Sequence, residues 1–589
     1  MRRTAPVSTP PVRGRRELLR LALVSAGTGA LWLPGQALTQ PRFEADPFTL
    51  GVASGTPTHD SIVLWTRLAL PSLFGSRLGT EPITVRWEIA HDEAFTRPVQ
   101  SGRTVALVEL AHSIHVEVRG LEPDRWYWYR FMAGDAVSAT GRTRTFPTAD
   151  APAARLRLAY ASCQRWEHGH YGAYRHMRDE DVDAVVFLGD YIYEYPTALN
   201  AVRVPDGGWV TTLGGYRQRY ALHKSDPALQ AMHAVCPWLI TWDDHEVQND
   251  YAGMHEGENG PPVADFAARR AAAYQAFYEH MPLPASVLVQ ALSGLSTGAE
   301  MRIHGQVRFG RLATLYLLDD RQYRDAIVCT GSGRPGSGRI DPANCAALAD
   351  PARSLLGSAQ EAWLDQAFAA SRTGWNVVCQ QTLFGRRDFR PGAGESLWND
   401  GWDGYPAARG RFTDSLRRHA LSNAVLLGGD VHENWVGHVK ADYRDPASAA
   451  LGVEFCGTSI TSRPTASGRH AEWLAENPHF VFAEGRHRGY GIAEFTPARL
   501  STTLRVVDDA TRREPSISTL ARFSVSAGRP VIEASSGSTA MTSAPVAASR
   551  RVNLPVPAPR STTQVPGPIQ RSRVSHDSRA AGYSGRPRS

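Results

Sequence analysis

The chain has 589 residues, 42% of them hydrophobic, 21% charged and 9% aromatic, with a mean hydropathy of −0.31; this excludes wholesale disorder and, at roughly 100 to 200 residues per domain, leaves room for about two to four domains. The net charge of +6 does not describe the body: six arginines and one glutamate in residues 1–37 carry +5, eight arginines and one aspartate in 534–589 carry +7, and the remainder is −6. The pI of about 9.0 therefore gives no reason to expect a specific nucleic-acid partner for the folded part, and beyond residue 40 no run approaches the ~18 apolar residues that a membrane-spanning helix needs.

The N-terminus carries Arg15 and Arg16, then Leu18 and Leu19, an apolar run from Leu21 to Leu33 and the small-residue site Gly35-Gln36-Ala37. Residues 1–37 thus have the layout of a twin-arginine signal, cleaved near Ala37 and read by the twin-arginine export machinery; the competing reading is a basic amphipathic helix packed on the body. That route carries folded proteins and suits enzymes that load a metal before leaving the cytoplasm. The expected destination, whether periplasm, cell surface or medium, is oxidising. Six cysteines fit it unevenly: Cys163, Cys236, Cys379 and Cys456 lie in or just after apolar runs, whereas Cys329 and Cys345 flank a Gly/Pro/Arg loop. One disulfide is expected, Cys329 to Cys345, worth about 3 kcal/mol in the chain-entropy model.

Residues 44–148 alternate apolar and polar side chains in short runs such as Thr84-Val85-Arg86-Trp87-Glu88-Ile89, separated by Gly, Pro and Asp. This predicts a small antiparallel β-sandwich of the fibronectin type III kind. From 153 to 530 apolar β-branched runs alternate with helical segments, which predicts a layered α/β domain. Its expected strands are Leu156–Ala161, Ala184–Leu188, Val235–Trp242, Leu312–Leu318, Trp375–Cys379 and Ala424–Leu427, with helices over Val263–Met281 and Ser358–Ala370. Residues 534–589, rich in Ser, Pro, Ala and Arg, read as a disordered basic tail. Such a tail would either tether the protein to anionic surface polymers or lipids or play no role.

Polar groups recur where the strands end. The blocks are Ser162-Cys163-Gln164, Gly189-Asp190-Tyr191-Ile192-Tyr193-Glu194, Trp242-Asp243-Asp244-His245-Glu246 with Asn249 beyond, and Gly429-Asp430-Val431-His432. One block alone is weak, since a Cys after a strand is usually buried filler and an Asp after Gly usually caps a helix. Four in succession would crowd unpaired charge at one rim unless cations neutralise it. Cys binds as thiolate, tyrosinate with carboxylate favours ferric iron, and carboxylate with amide oxygen suits calcium.

The blocks ASCQ, FLGDYIYE, TWDDHEVQND, LLDDRQY and LLGGDVHEN, with the flanking GVASGTPTHDSIVLWTRL, make the chain from about 44 to 530 resemble the PhoD-like (alkaline phosphatase D) phosphodiesterases. The resemblance implies a metallophosphoesterase fold, a ferric ion with calcium, and hydrolysis of phosphate mono- and diesters by a metal-activated water. It implies Cys163, Asp190 and Tyr193 on iron, Asp190 bridging, Asp244 and Asn249 on the second metal, and Asp430 and His432 closing the cluster. Asp243 would ligate or orient Asp244. Arg165 and Arg486 are the expected phosphate-charge partners and His245 the expected proton donor. Asp320 stands where the family pattern has a hydroxyl residue, and Gln380 and Gln381 stand where related sites often place a His. Phospholipase D activity on the same fold and, further off, a non-catalytic protein that binds a surface polymer are the competing functional readings.

Overall fold

A computed structural model describes residues 42–70, 78–205, 207–289, 300–330, 336–464 and 468–534. The leader expected over 1–37 and, apart from Ala534, the tail expected over 534–589 lie outside the described residues. The N-terminal part follows its alternation. In strand Trp126–Ala133 the residues Tyr127, Tyr129, Phe131 and Ala133 point inward while their neighbours are half-buried. This strand forms an antiparallel sheet with Ile83–Ala90, Pro98–Ala106, Ala136–Val137 and Gly141–Arg144. Its inner face packs Val85, Ile89 and Tyr129 against Ile62, Leu64, Val116 and Val118 of the facing strands Ser61–Arg67 and Ser113–Arg119.

That facing layer is not separate from the body. Val52–Gly55 pairs antiparallel with Ser61–Arg67 on one side and, through Gly55 and Trp238, parallel with Trp238–Thr241 on the other. The result is one ten-stranded mixed sheet. It runs from Ile532–Ala534, Ile517–Ser526, Arg499–Val507 and Arg488–Phe495 through the parallel strands Leu156–Ala161, Ala184–Leu188 and Trp238–Thr241 to the three N-terminal strands. A second, seven-stranded sheet has Ala313–Leu317, Trp375–Cys379, Ala424–Gly428 and Ala450–Cys456 parallel at its centre.

The two sheets face each other across a single core in which Leu158, Tyr160, Val186 and Leu188 meet Leu315, Leu317, Val377, Val425 and Leu427. Helices Leu213–Lys224, Pro227–His233 and Phe266–His280 cover the outer face of the first sheet, and Ser358–Ala370 and Pro406–Arg418 that of the second. The body is thus a four-layer helix/sheet/sheet/helix α/β domain. Strands buried on both faces read as continuous apolar runs, which is why five of the six expected strands agree to within one residue at either end. The third begins at Trp238 rather than Val235, because Pro237 has no N–H for the ladder. Helix Phe266–His280 begins later than expected because Asp265 caps it, its side chain accepting from Ala268 N. Cys329 and Cys345 are bridged, with Cα atoms 5.9 Å apart.

The seam between the N-terminal strands and the body depends on Gly55, where a Cβ would lie 2.6 Å from the Pro282 carbonyl oxygen and 2.8 Å from that of Trp238. Gly55→Ala should therefore lower the unfolding free energy by about 1–3 kcal/mol in urea titration. Gly305→Ala, whose Cβ meets nothing within 4 Å, should not.

Candidate metal centre

The carboxyl ends of parallel strands from both sheets meet at one place. Cys163, Asp190, Asp430 and His432 follow their strands in the left-handed region, with φ of 59°, 58°, 64° and 58°. For residues with a Cβ this costs on the order of 1–3 kcal/mol each, and such strain gathers at functional sites. Gly189, at φ 101°, lets the Asp190 and Asp243 loops touch, since a Cβ there would lie 2.6 Å from Asp243 N.

Three overlapping sets of ligand atoms result, each with all atoms within 4.8 Å of one another: Cys163, Asp190 and His432; Asp190, Asp244 and His245; and Asp190, Asp243 and Asp430. Asp190 belongs to all three. The Tyr193 hydroxyl donates to Asp190 Oδ2 at 2.8 Å, lies 3.2 Å from His432 Nε2 and accepts from Ser462 Oγ at 2.7 Å. Thr382 Oγ1 donates to Asp430 Oδ2 at 2.9 Å. The donor set fits cations: Asp190 Oδ1, Asp243 Oδ2 and Asp244 Oδ1 are buried and meet no hydrogen-bond donor among the described residues, a costly arrangement for carboxylates otherwise.

The electrostatics point the same way. Burial raises Asp190 well above the ordinary carboxylate value, Asp244, Glu246 and Asp430 adding to it, and burial pushes Asp430 up to about 6. Asp243 is raised chiefly by burial against the pull of Arg321. Burial and then Asp190 hold the Cys163 thiol far above its usual value, and Tyr193 shifts likewise. Without positive charge these groups would keep their protons. Asp244 differs: burial pushes it up, but Arg321, His245 and the Asp250 N–H together hold it below the ordinary value.

Arg321, 1% exposed, is the arginine inside this cluster. Its Nε donates to Asp243 and its Nη1 to Asp400 at 2.9 Å, and it lies 3.9 Å from Asp244 and 4.0 Å from Asp430. Asp243 thus gives one oxygen to Arg321 and keeps the other for the cluster. Neighbouring Asp319 is structural, accepting from Trp242 Nε1 and from the N–H groups of Arg321 and Gln322. Asp320 exchanges hydrogen bonds with Gln381, which also reaches Thr241, and Gln380 accepts from Trp402 Nε1.

Two buried glutamates tie the loops together, and sequence reasoning did not single them out. Glu246 accepts from Asp190 N at 3.2 Å, Asp243 N at 2.9 Å and Tyr191 N. Glu194, fully buried, meets His245 Nδ1 at 2.7 Å and accepts from Asn249 N at 2.8 Å. Their signal was available: both acids lie inside apolar motif blocks, where an unpaired charge is expensive. His245 sits 4.1 Å ring to ring from Tyr193, and although burial lowers its pKa, Glu194, Asp190 and Asp244 raise it well above the usual histidine value. Asn249 Oδ1 accepts from the Tyr195 hydroxyl at 2.7 Å.

Arg165 lies at the rim, its guanidinium carbon 4.7 Å from the Tyr195 ring and 5.5 Å from that of Tyr193, with Nε 3.6 Å from Glu167. Arg486 stands apart from the group, its side chain 80% exposed and lying along Glu484. Arg488 is the buried arginine of this loop, donating to the His432 carbonyl at 2.8 Å, to Ser459 Oγ and to the Ser462 carbonyl. Period-two alternation with Tyr490 and Ile492 was the signal for it. Since Arg321 offsets Asp243, Asp244 and Asp430 from inside, Arg321→Met should cost roughly 3–5 kcal/mol of stability in denaturant titration of metal-free protein, with cation binding weakened through the disturbed Asp243.

Comparison with known proteins bears on the whole chain. The family model described as PhoD-like phosphatase matches residues 158–504, and that described as PhoD-like phosphatase, N-terminal domain, matches 35–147. Alkaline phosphatase D of Bacillus subtilis (strain 168) is 42% identical over 491 residues, covering 82% of this chain and 81% of its own. A solved structure titled "Structure of PhoD" aligns with a TM-score of 0.78 at 41% identity, over 85% of this chain and 94% of that one. With its layered α/β body of metallophosphoesterase type, this chain belongs to the PhoD-like phosphatase family.

Proposed function

We propose that the protein is an exported hydrolase of phosphate mono- and diesters in which a ferric ion and calcium share Asp190. The observation that carries the reading is the overlap of the three ligand sets on that carboxylate, with the Cys163 sulfur, the His432 imidazole and the adjoining Tyr193 phenol on one side and the carboxylates of Asp243, Asp244 and Asp430, beside His245, on the other. Cys163, Asp190, Tyr193 and His432 would hold iron. Asp190, Asp244, Asn249 and Asp430 would hold calcium, with Asp243 lending its free oxygen. Bound there, the ions would supply Lewis acidity toward phosphoryl oxygens and a nucleophilic water at ordinary pH.

The chain's own groups do the rest. Arg165, anchored over two tyrosine rings, presents positive charge where the phosphoryl group gains negative charge. His245, whose Nδ1 is engaged by Glu194, is left with Nε2 to hold a proton toward the leaving oxygen. Hydrolysis of a phospholipid headgroup is the second reading, favoured by Leu199 and Val204, 90% and 70% exposed on the loop that runs on from Tyr193. Parallel assays with p-nitrophenyl phosphate, bis-p-nitrophenyl phosphate and phosphatidylcholine separate the two. Export through the twin-arginine route is supported by the leader sequence and suits the Cys329–Cys345 bridge, which lasts in an oxidising compartment. The basic tail would favour retention on anionic surface polymers or lipids.

Cys163→Ala should lose iron, measured by elemental analysis of protein purified without added metal, while keeping its fold. Full iron content in that variant would remove Cys163 from the ligand set. His245→Ala should slow hydrolysis of an alkyl phosphate by roughly 10²–10⁴-fold, but that of p-nitrophenyl phosphate far less, because nitrophenolate leaves without a proton. Equal losses at full metal occupancy would assign His245 to charge stabilisation instead.

A further inference from the structure

Beside the His432 loop lies a group of cations that the chemistry above does not use. The guanidinium carbons of Arg339 and Arg387 both lie over the ring of Phe389, at 4.2 and 4.5 Å from its centroid. Arg387 is also 5.2 Å from the Trp435 ring and Arg339 5.7 Å from that of Trp473, which meets Phe389 edge-on at 5.0 Å. Two like charges on one phenyl ring repel each other, so the arrangement needs compensation. Glu433 supplies part of it, 3.3 Å from Arg387, but it is shared with Trp435 Nε1 at 2.9 Å and His470 at 3.2 Å.

The Arg339 guanidinium makes no hydrogen bond or ion pair among the described residues, although its backbone pairs opposite Trp398, and the residue is exposed. Burial, then Arg387 and Arg469, draw its pKa below the ordinary arginine value against the opposing pull of Glu433; Arg469 is itself paired with Glu472 at 2.7 Å. Two buried donors of the same cluster, Trp473 Nε1 and Arg387 Nε, lack acceptors. Trp473 is 2% and Arg387 8% exposed. The cluster is fixed to the reacting centre by the chain itself: Glu433 follows His432 directly, and Ser337, two residues before Arg339, donates from both its backbone N and its hydroxyl to Asp250 on the Asp244 loop.

We propose that Arg339, stacked on Phe389 beside Arg387, is a subsite for a second anionic group of the substrate, a phosphate remote from the ester that reacts. The proposal rests on the phosphohydrolase reading and adds to it that the preferred substrates carry more than one phosphate. Arg387 is paired with Glu433 and Arg469 with Glu472, so the Arg339 guanidinium is the charge left over, in a body that is net acidic.

The test uses p-nitrophenyl phosphodiesters of alkanediols in a series of lengths, each made in two forms ending in a hydroxyl or in a phosphonate that the enzyme cannot hydrolyse. With metal-loaded full-length protein, at least one phosphonate-ended ester should show a KM roughly five- to tenfold below that of its hydroxyl partner at similar kcat, the difference shrinking with added salt. Arg339→Ala should abolish the difference while leaving the hydroxyl-ended esters untouched, which also reports an intact fold. Arg339→Glu should reverse it. Equal KM values at every length in the wild type, or a preference that persists in Arg339→Ala, would overturn the subsite and leave the hydrolase reading standing. Failure to turn over either form would overturn both.

Discussion

The carboxylates of Asp190, Asp243, Asp244 and Asp430 lie together out of water, and their repulsion decides what the residues around them must be. At separations of no more than 4.8 Å within a ligand set, two such charges would repel by about 3 kcal/mol or more in a medium of effective dielectric constant ~20. Arg321 offsets one charge from within. The unpaired oxygens of Asp190, Asp243 and Asp244 all belong to these acids, so the remaining compensation has to come from cations. Glu246 shows what a buried acid does when it is not meant for a cation: it spends its lone pairs on three backbone N–H groups.

This concentration of charge is tolerable because it rests on two sheets that cannot slide. Cys163, Asp190 and Asp243 come from the first sheet, and Asp430, His432 and Arg321 from the second. The close-packed layer of Leu158, Val186, Leu315, Val377 and Val425 between them fixes one set against the other. Precision at the site is therefore a property of a core several residues away, and the loops themselves are braced by Glu194 and Arg488. Helices on both outer faces complete the burial that makes these strands so uniformly apolar.

What the sequence disclosed follows from which forces are local. Strands buried on both faces, such as Ala184–Leu188, are legible because every residue must be apolar. The site was legible because four strand ends carry side chains able to bind a metal, which no packing argument explains. Contacts between distant segments were not legible. Nothing in Val52–Gly55 announces that it will join Trp238–Thr241, since a single close approach at Gly55 makes that seam. Arg486 and Arg488 have the same side chain, and only the onset of strand alternation after His487 separates the exposed one from the buried one. The joint task of Glu194 likewise depends on His245 and Asn249 arriving some fifty residues later.

The first sheet also sets an order of events in the life of the chain. Leu156–Ala161, the strand that leads into Cys163, has Ala184–Leu188 on one side and Arg488–Phe495 on the other, with Ala159 opposite Ile492. Closing that second ladder waits for more than three hundred residues of intervening chain, and pairings of such long range form late. The cysteine's surroundings are therefore completed only after residue 495 has left the ribosome. Until then the strand presents an open edge, so a chain stalled or cleaved before this point would be exposed both to aggregation and to oxidation of an unprotected thiol.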